Sequence, residues 1–295
     1  MILVTGGNGN IGKAVCNELG KRGYQVISVG RRKMDADLYR HVSCDITVKE
    51  DLDRLFKEYR FDVIFHLAGL TNTAAKNDPQ KAVEINVNGS MNLMKKAIEY
   101  SVPFVYGSSV NAIGLADTSE EGVKESDLSQ PQEFYGWTKR FTEEMGIALS
   151  NVSGLSFTSL RIPNVLGKGQ GSVNTPWRET CFTQIGHGGD LLITYRSNSR
   201  IPAIHISDLT NAICEVLTSD KPRRQVYNLP AEEISIEKLS NYLMEIDPEL
   251  HVTTGEKEPK GMCSHIDWSR FKEDYPIRIH SLKERLQEAY EENRK

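Results

Sequence analysis

The sequence predicts an α/β fold, a doubly wound parallel sheet followed by a smaller C-terminal lobe. Strand-like and helix-like patterns alternate from residue 1 to about residue 165, the rhythm of successive strand–crossover–strand units. A glycine triplet, Gly6, Gly9 and Gly12, falls directly between the first strand pattern and the first helix pattern. Beyond Gly167 the alternation loosens, and glycine-rich punctuation appears at 168–172 and 186–190. The predicted division is a larger unit over residues 1–165 and a smaller lobe over 166–295, with some chain crossing back to the first unit.

Taken in order, Ile2, Leu3 and Val4 read as a short buried strand, and 13–22 as a helix with Ile11, Val15 and Leu19 at a spacing of four. In such a strand–turn–helix the first glycine permits the tight turn and the second lets the backbone approach a pyrophosphate. The third lets the helix pack against the strand. Free N–H groups and the helix dipole then face the anion. Gly6, Gly9, Asn10, Ile11 and Gly12 are therefore expected to hold a dinucleotide. A second strand over 25–29 ends in Gly30-Arg31-Arg32-Lys33. An acidic residue here would bind the ribose 2′-hydroxyl, whereas an arginine accommodates a 2′-phosphate. Arg31 and Arg32 favour NADP, with NAD the lesser expectation.

A third strand over 41–46 ends at Asp45, and 51–59 reads as a helix with Leu52, Leu55 and Phe56 on one face. A buried strand in 61–69 runs into the small-residue turn Leu67-Ala68-Gly69, suited to close cofactor contact. One long helix is predicted over 79–100, with Val83, Val87, Met91 and Met94 as its core stripe. A strand over 102–106 leads to Gly107-Ser108-Ser109. In the second half 206–217, Ile236–Ile246 and 281–292 read as helices.

At 295 residues, 39% hydrophobic and 26% charged, the composition is that of a globular protein. The net charge of −4 gives no reason to expect nucleic acid or an anionic membrane as partner. No apolar run approaches the roughly 18 residues needed to span a bilayer. The first strand begins at Ile2, leaving no room for a signal peptide, so a cytoplasmic location is expected. Cys16, Cys44, Cys181, Cys214 and Cys263 are scattered, with no CxxC pair, and read as free thiols with no metal site.

Tyr135 and Lys139 are four residues apart, one turn on one face if helical. A phenol with a pKa near 10 is a poor acid or base at neutral pH. A neighbouring ammonium stabilises the phenolate and lowers that value. Such a pair can move a proton at a substrate oxygen while hydride moves at the adjacent carbon. Lys139 can also hold the nicotinamide ribose, and Ser109 can hydrogen-bond the same substrate oxygen.

Together these residues resemble the extended short-chain dehydrogenase/reductase family, the sugar-nucleotide epimerases, dehydratases and reductases. Thr5 to Gly12 is similar to its TGxxGxxG loop, Asp45-Ile46 to its adenine-contacting pair and His66-Leu67-Ala68-Gly69 to its HLAA turn. Asp78-Pro79 and the stretch from Asn86 to Leu93 follow its pattern. Ser108-Ser109 with Gly114, and Tyr135 to Lys139, resemble its catalytic segments. Arg161 to Gly167 resembles RxxNVxG, and the stretch from Arg200 to Asp208 resembles RDFVHVDD. The resemblance runs nearly end to end. It implies a Rossmann-type cofactor domain with a C-terminal substrate lobe, Tyr135 as acid/base, Lys139 as its modulator and Ser109 as oxygen binder. It places Asn86 and Ile162 with the cofactor, and Asn164 and Arg200 on a nucleotide diphosphate. Relatives often dimerise through a four-helix bundle, so a homodimer is expected.

Two departures narrow the expectation. Val110-Asn111 follows Ser109 where dehydratases carry an Asp-Glu pair, which argues against dehydration. Gly30-Arg31-Arg32 departs from the acidic residue of the NAD-holding 4-epimerases. The favoured reading is an NADPH-dependent reductase of a nucleotide-linked 4-keto sugar; the alternative is a sugar-nucleotide 4-epimerase. A reductase of non-nucleotide carbonyls and a non-catalytic NADP-binding protein are further readings. Intact Tyr135 and Lys139 count against the last.

Overall fold

A computed structural model describes residues 1–115, 121–172, 174–221 and 223–295. The apolar run after Met1 forms β1 (Ile2–Thr5), and the glycine loop hands the chain to α1 (Asn10–Lys21). There follow β2 (Val26–Gly30), β3 (Arg40–Ser43), α2 (Lys49–Glu58) and β4 (Val63–His66). The third strand stops at Ser43, short of the expected Asp45. Asp45 instead turns the chain toward α2, its Oδ1 accepting from the Thr47 amide at 2.9 Å and the Thr47 hydroxyl at 2.8 Å, an Asx-type turn that competes with strand pairing.

Short α3 (Asn72–Asn77) precedes the predicted helix over 79–100, which runs without a break as α4 (Pro79–Ala82), a π-helical turn (Val83–Gly89) and α5 (Ser90–Glu99). The predicted stripe is overturned by the π turn. An i→i+5 turn carries extra residues and rotates the helix beyond it. Val83 is 39% exposed, Val87 and Met91 are half-buried, and only Met94 is core. Asn86, Gly89, Ser90, Leu93 and Ala97 face inward instead.

Next come β5 (Phe104–Ser109), α6 (Phe134–Ser153), β6 (Phe157–Ile162), β7 (Asn164–Leu166), α7 (Trp177–Gln184), β8 (Gly189–Tyr195) and β9 (Arg200–His205). The chain closes with α8 (Ile206–Thr218), β10 (Val226–Asn228), β11 (Glu232–Ser235), α9 (Ile236–Ile246), β12 (Leu250–Lys257), α10 (Ser269–Asp274) and α11 (Leu282–Asn293). Ser281 caps α11 through a reciprocal capping box with Glu284.

The main sheet is seven-stranded and parallel, in the order β10-β6-β5-β4-β1-β2-β3. One face is covered by α1 and α8, where Val15, Cys16 and Leu19 meet Leu209, Ala212 and Ile213. The other is covered by α2 and α5, through Leu52, Phe56, Leu93 and Met94. Both faces are buried, so the strands read as continuous apolar runs. β10, from the second half of the chain, pairs with β6 at the edge of this sheet. The remaining strands form the small sheets β11-β9-β7 and β12-β8, packed with α7, α9 and α11 around Trp177, Phe182, Ile201 and Leu286. The sequence pattern does not resolve these short strands. All five cysteines are free and buried. Among the described residues no helix is long and apolar enough to cross a membrane.

Candidate active site

The order of strands reverses between β1 and β4, and a parallel sheet opens a crevice at such a point, beyond the carboxyl ends of its strands. Here the ends are Thr5, Gly30, His66, Ser109 and Ile162. They open onto a cleft of about 1480 Å³, walled on the far side by Asn164, Thr175, Arg178 and Tyr195.

At one end the glycine loop forms a cradle. A Cβ on Gly12 would lie 2.3 Å from the Gly6 carbonyl oxygen and 2.8 Å from the Gly7 Cα, so α1 can start this close only without a side chain. Gly9 accepts from the Lys13 amide at 2.8 Å, while the amides of Asn10, Ile11 and Gly12 lie at the open N-terminus of α1, free for an anion. Arg31 and Arg32 are exposed on the cleft rim just after β2. Asp45, Ile46, Leu67, Ala68, Gly69 and Ile162 line the same end. A pyrophosphate-linked dinucleotide fits this donor set: backbone amides for the phosphates, cations at the ribose end, small residues beneath.

The floor brings together the three residues expected to be catalytic. Ser109 ends β5, and Tyr135 and Lys139 sit on the first turns of α6. Gly136 makes this packing possible, since a Cβ there would lie 2.3 Å from the Asn111 carbonyl oxygen. The Ser109 hydroxyl donates to Asn111 Oδ1 at 3.1 Å and accepts from the Asn111 amide at 3.2 Å. Lys139 is buried, donates to the Gly107 carbonyl at 2.8 Å, and lies 4.7 Å from the Tyr106 ring centre and 5.7 Å from that of Tyr135. Burial pulls its ammonium down to about 8, with Glu143 acting the other way. The Tyr135 phenol is pushed up to about 12 by burial, with Ser109 opposing. The direction is opposite to the expected lowering, because desolvation of the phenolate is the dominant effect.

Behind the floor, buried polar groups hold these elements in register. The Thr5 hydroxyl accepts from the amides of Leu67 and Ala68, so its proton goes to His66 Nδ1 at 2.6 Å. The Ser90 hydroxyl donates to the Asn86 carbonyl at 2.6 Å, so it accepts from His66 Nε2 at 2.8 Å. Donor counting thus fixes His66 as the neutral Nε2–H tautomer. Burial, seconded by Lys139, pushes its pKa down to about 3. Asn86, expected at the cofactor, lies instead behind the cleft lining. Its side chain brackets Leu70, accepting from the Leu70 amide at 2.7 Å and donating to the Leu70 carbonyl at 3.0 Å, and also donates to Thr138 at 3.0 Å. It braces the turn after β4 against α6. Deeper still, Glu143 and Arg161 form a fully buried ion pair at 3.0 Å.

The substrate wall departs most from expectation. Asn164 lines the cleft, but its amide donates to the Pro202 carbonyl and the Met262 sulfur, both at 3.0 Å, and its Oδ1 accepts from Arg178. Arg200 does not reach the cleft. It lies exposed on β9 and pairs with Glu233 at 2.8 Å. The reason is register. In RDFVH the arginine stands four residues before the histidine, and that position relative to His205 is Ile201. Strand alternation turns 200 and 201 to opposite faces, and Ile201 is core. Sequence reasoning missed Arg178 and Thr175 on the cleft wall, and read Asn111 only as a departure from the dehydratase pair. No short motif marks Arg178, because α7 reaches the site only through the fold.

The model of the family described as "NAD dependent epimerase/dehydratase family" matches residues 2–229. An uncharacterized epimerase/dehydratase of Staphylococcus saprophyticus is 25% identical over 210 residues, which is 70% of this chain and 65% of that protein's length. Among solved structures, L-threonine dehydrogenase from Phytophthora infestans superposes with a TM-score of 0.87 at 20% identity, covering 99% of this chain and 98% of that one. UDP-glucose 4-epimerase from Thermotoga maritima, solved with UDP-glucose, superposes with a TM-score of 0.83 at 25% identity, covering 98% of this chain and 97% of that one.

Proposed function

The chain belongs to the NAD dependent epimerase/dehydratase family and is an NAD(P)-dependent enzyme of the extended short-chain dehydrogenase type; from that premise we propose that it is an NADPH-dependent reductase of a nucleotide-linked 4-keto sugar. The observation that carries the reading is the convergence of Ser109, Tyr135 and Lys139 on the cleft floor beside the glycine cradle. A bound nicotinamide supplies the hydride. A phenol held at about 12 is protonated at neutral pH, the state that donates to a carbonyl oxygen as that oxygen gains charge. Ser109 orients the same oxygen. The Lys139 ammonium then stabilises the phenolate left behind. Arg31 and Arg32 supply the preference for a 2′-phosphate.

Tyr135→Phe tests the chemistry. Turnover should fall by about 10²–10⁴-fold, the usual worth of a positioned proton donor, while the NADPH dissociation constant stays within roughly twofold. Undiminished turnover would sink the reading. Arg31→Ala with Arg32→Ala tests the cofactor: NADPH affinity should drop at least tenfold with NADH affinity unchanged, and an equal loss of both would refute the preference.

A second reading, a smaller non-nucleotide carbonyl or alcohol as substrate, is favoured by one observation. Both expected diphosphate contacts are committed elsewhere, Asn164 to Pro202 and Met262 and Arg200 to Glu233. Turnover of a simple hydroxy acid, with no response to nucleotide sugars, would select it. We further propose a homodimer through α6, whose Phe134, Trp137 and Phe141 are 41%, 55% and 58% exposed, a contiguous apolar stripe of the kind that marks interfaces.

A further inference from the structure

The arginines set deepest in the fold are matched by carboxylates: Arg161 has Glu143 at 3.0 Å, and Arg285 has Asp208 at 2.7 Å. Arg178 has no carboxylate within ion-pair distance among the described residues. It projects from the first turn of α7 onto the cleft wall. Its Nη2 donates to Asn164 Oδ1, and its Nε is buried with no hydrogen-bond partner. Burial works against its charge, and the Tyr195 phenol favours it, through its charge and through a side-chain hydrogen bond. A guanidinium does not shed its proton in a protein, so the charge stays on a half-buried side chain, and a charge drawn partly out of water without a counter-ion is costly. Nearby Arg196 is already satisfied by Glu258 at 2.6 Å. On this wall of the cleft, Arg178 is, among the described residues, the arginine whose only hydrogen-bond partners are neutral.

Its location ties it to the reacting centre. Arg178 is braced by Asn164, two residues beyond Ile162, and Ile162 is registered against Ser109. The fork and the floor that carries Ser109 and Tyr135 line the same cleft.

We propose that Arg178, rather than Arg200, is the anchor for an oxyanion of the substrate, a carboxylate or a phosphate oxygen pair. The unmatched charge supplies affinity, and the fork fixes the distance between the anionic group and the carbonyl presented to Tyr135. This rests on the carbonyl chemistry proposed above. It adds that the substrate is an anion, and that its charge is read by α7.

The test uses the full chain loaded with NADP and three probes: UDP, inorganic pyrophosphate and 3-hydroxybutyrate. Thermal shift and calorimetry measure each on the parent protein and on Arg178→Met and Arg178→Lys. At least one probe should bind the parent, and the one that does identifies the source of the oxyanion. Its dissociation constant should rise about 10–100-fold in Arg178→Met. Arg178→Lys should recover only part, because it keeps the charge and loses the fork. NADP affinity, measured on the same samples, should stay within twofold. Three outcomes overturn the assignment: no probe binds the parent at 10 mM, the affinities are unchanged in Arg178→Met, or NADP affinity falls in step with anion affinity, which would make Arg178 a structural brace. None of these touches the Tyr135→Phe result, so failure of the anchor and failure of the carbonyl chemistry are read separately.

Discussion

Replacing Glu143 by glutamine keeps the shape of the side chain and removes its charge. In the parent, Glu143 accepts from Ser159 at 2.8 Å and from Arg161 at 3.0 Å, with both charged side chains essentially unexposed. The variant leaves the Arg161 guanidinium buried without a counter-charge. Losing one partner of a buried pair costs about 3–5 kcal/mol. For a chain of this size that corresponds to a fall in Tm of roughly 6–12 °C. A second effect comes from position. Glu143 is one turn from Lys139 on α6 and holds the Lys139 ammonium up against its desolvation. In Glu143→Gln the ammonium should be lost at lower pH, so the alkaline limb of turnover should move to lower pH. Differential scanning calorimetry reads the first effect and a pH–rate profile the second. Glu143→Leu combined with Arg161→Met should recover most of the lost stability, because a buried pair replaced by apolar groups of similar volume is often neutral. A Tm within 2 °C of the parent in Glu143→Gln, or a double variant as unstable as the single one, would refute the reasoning.

Two further outcomes rest on the same geometry. His66 is held neutral, with a folded pKa of about 3 against an ordinary 6.5. Its contribution is complete above pH 6.5 and lost as pH falls toward 3, because the unfolded chain takes up a proton that the fold refuses. Urea unfolding should show about 2 kcal/mol of this loss between pH 6.5 and 5, and His66→Gln should flatten the slope; equal slopes would remove His66 as the cause. If the proposed homodimer forms through α6, Trp137→Glu on its exposed stripe should halve the mass of the parent in light-scattering chromatography; a monomeric parent, or an unchanged mass in the variant, would refute that interface.

The glycine-cradle end of the cleft was legible in the sequence because its geometry is local. A glycine loop, two arginines after a strand and a small-residue turn each act within a few residues of themselves. The convergence of Ser109, Tyr135 and Lys139 on one cleft was legible for a related reason: each sits at a strand end or on the first turns of a helix, where spacing fixes direction. What failed was longer in range. Asn86 looked like a ligand but is turned inward by a π-helical turn that periodicity does not encode. Arg200 was one residue out of register, and in a strand one residue is the difference between core side and solvent side. Arg178 carries no motif, since its role exists only once α7 is folded over β7. The direction of the Tyr135 shift was misread because a four-residue spacing says nothing about how dry the pocket is.

The placement of β10 sets a schedule for assembly. β6 ends at Ile162 and its outer neighbour begins at Val226, so the edge of the main sheet stays open while about sixty intervening residues are made. At roughly 5–20 residues per second of synthesis, that is on the order of 3–12 seconds. During this interval β6 presents unpaired backbone groups of the kind that recruit foreign strands. A nascent chain stalled between residues 165 and 225 should therefore be a better chaperone client than one released after Asn228.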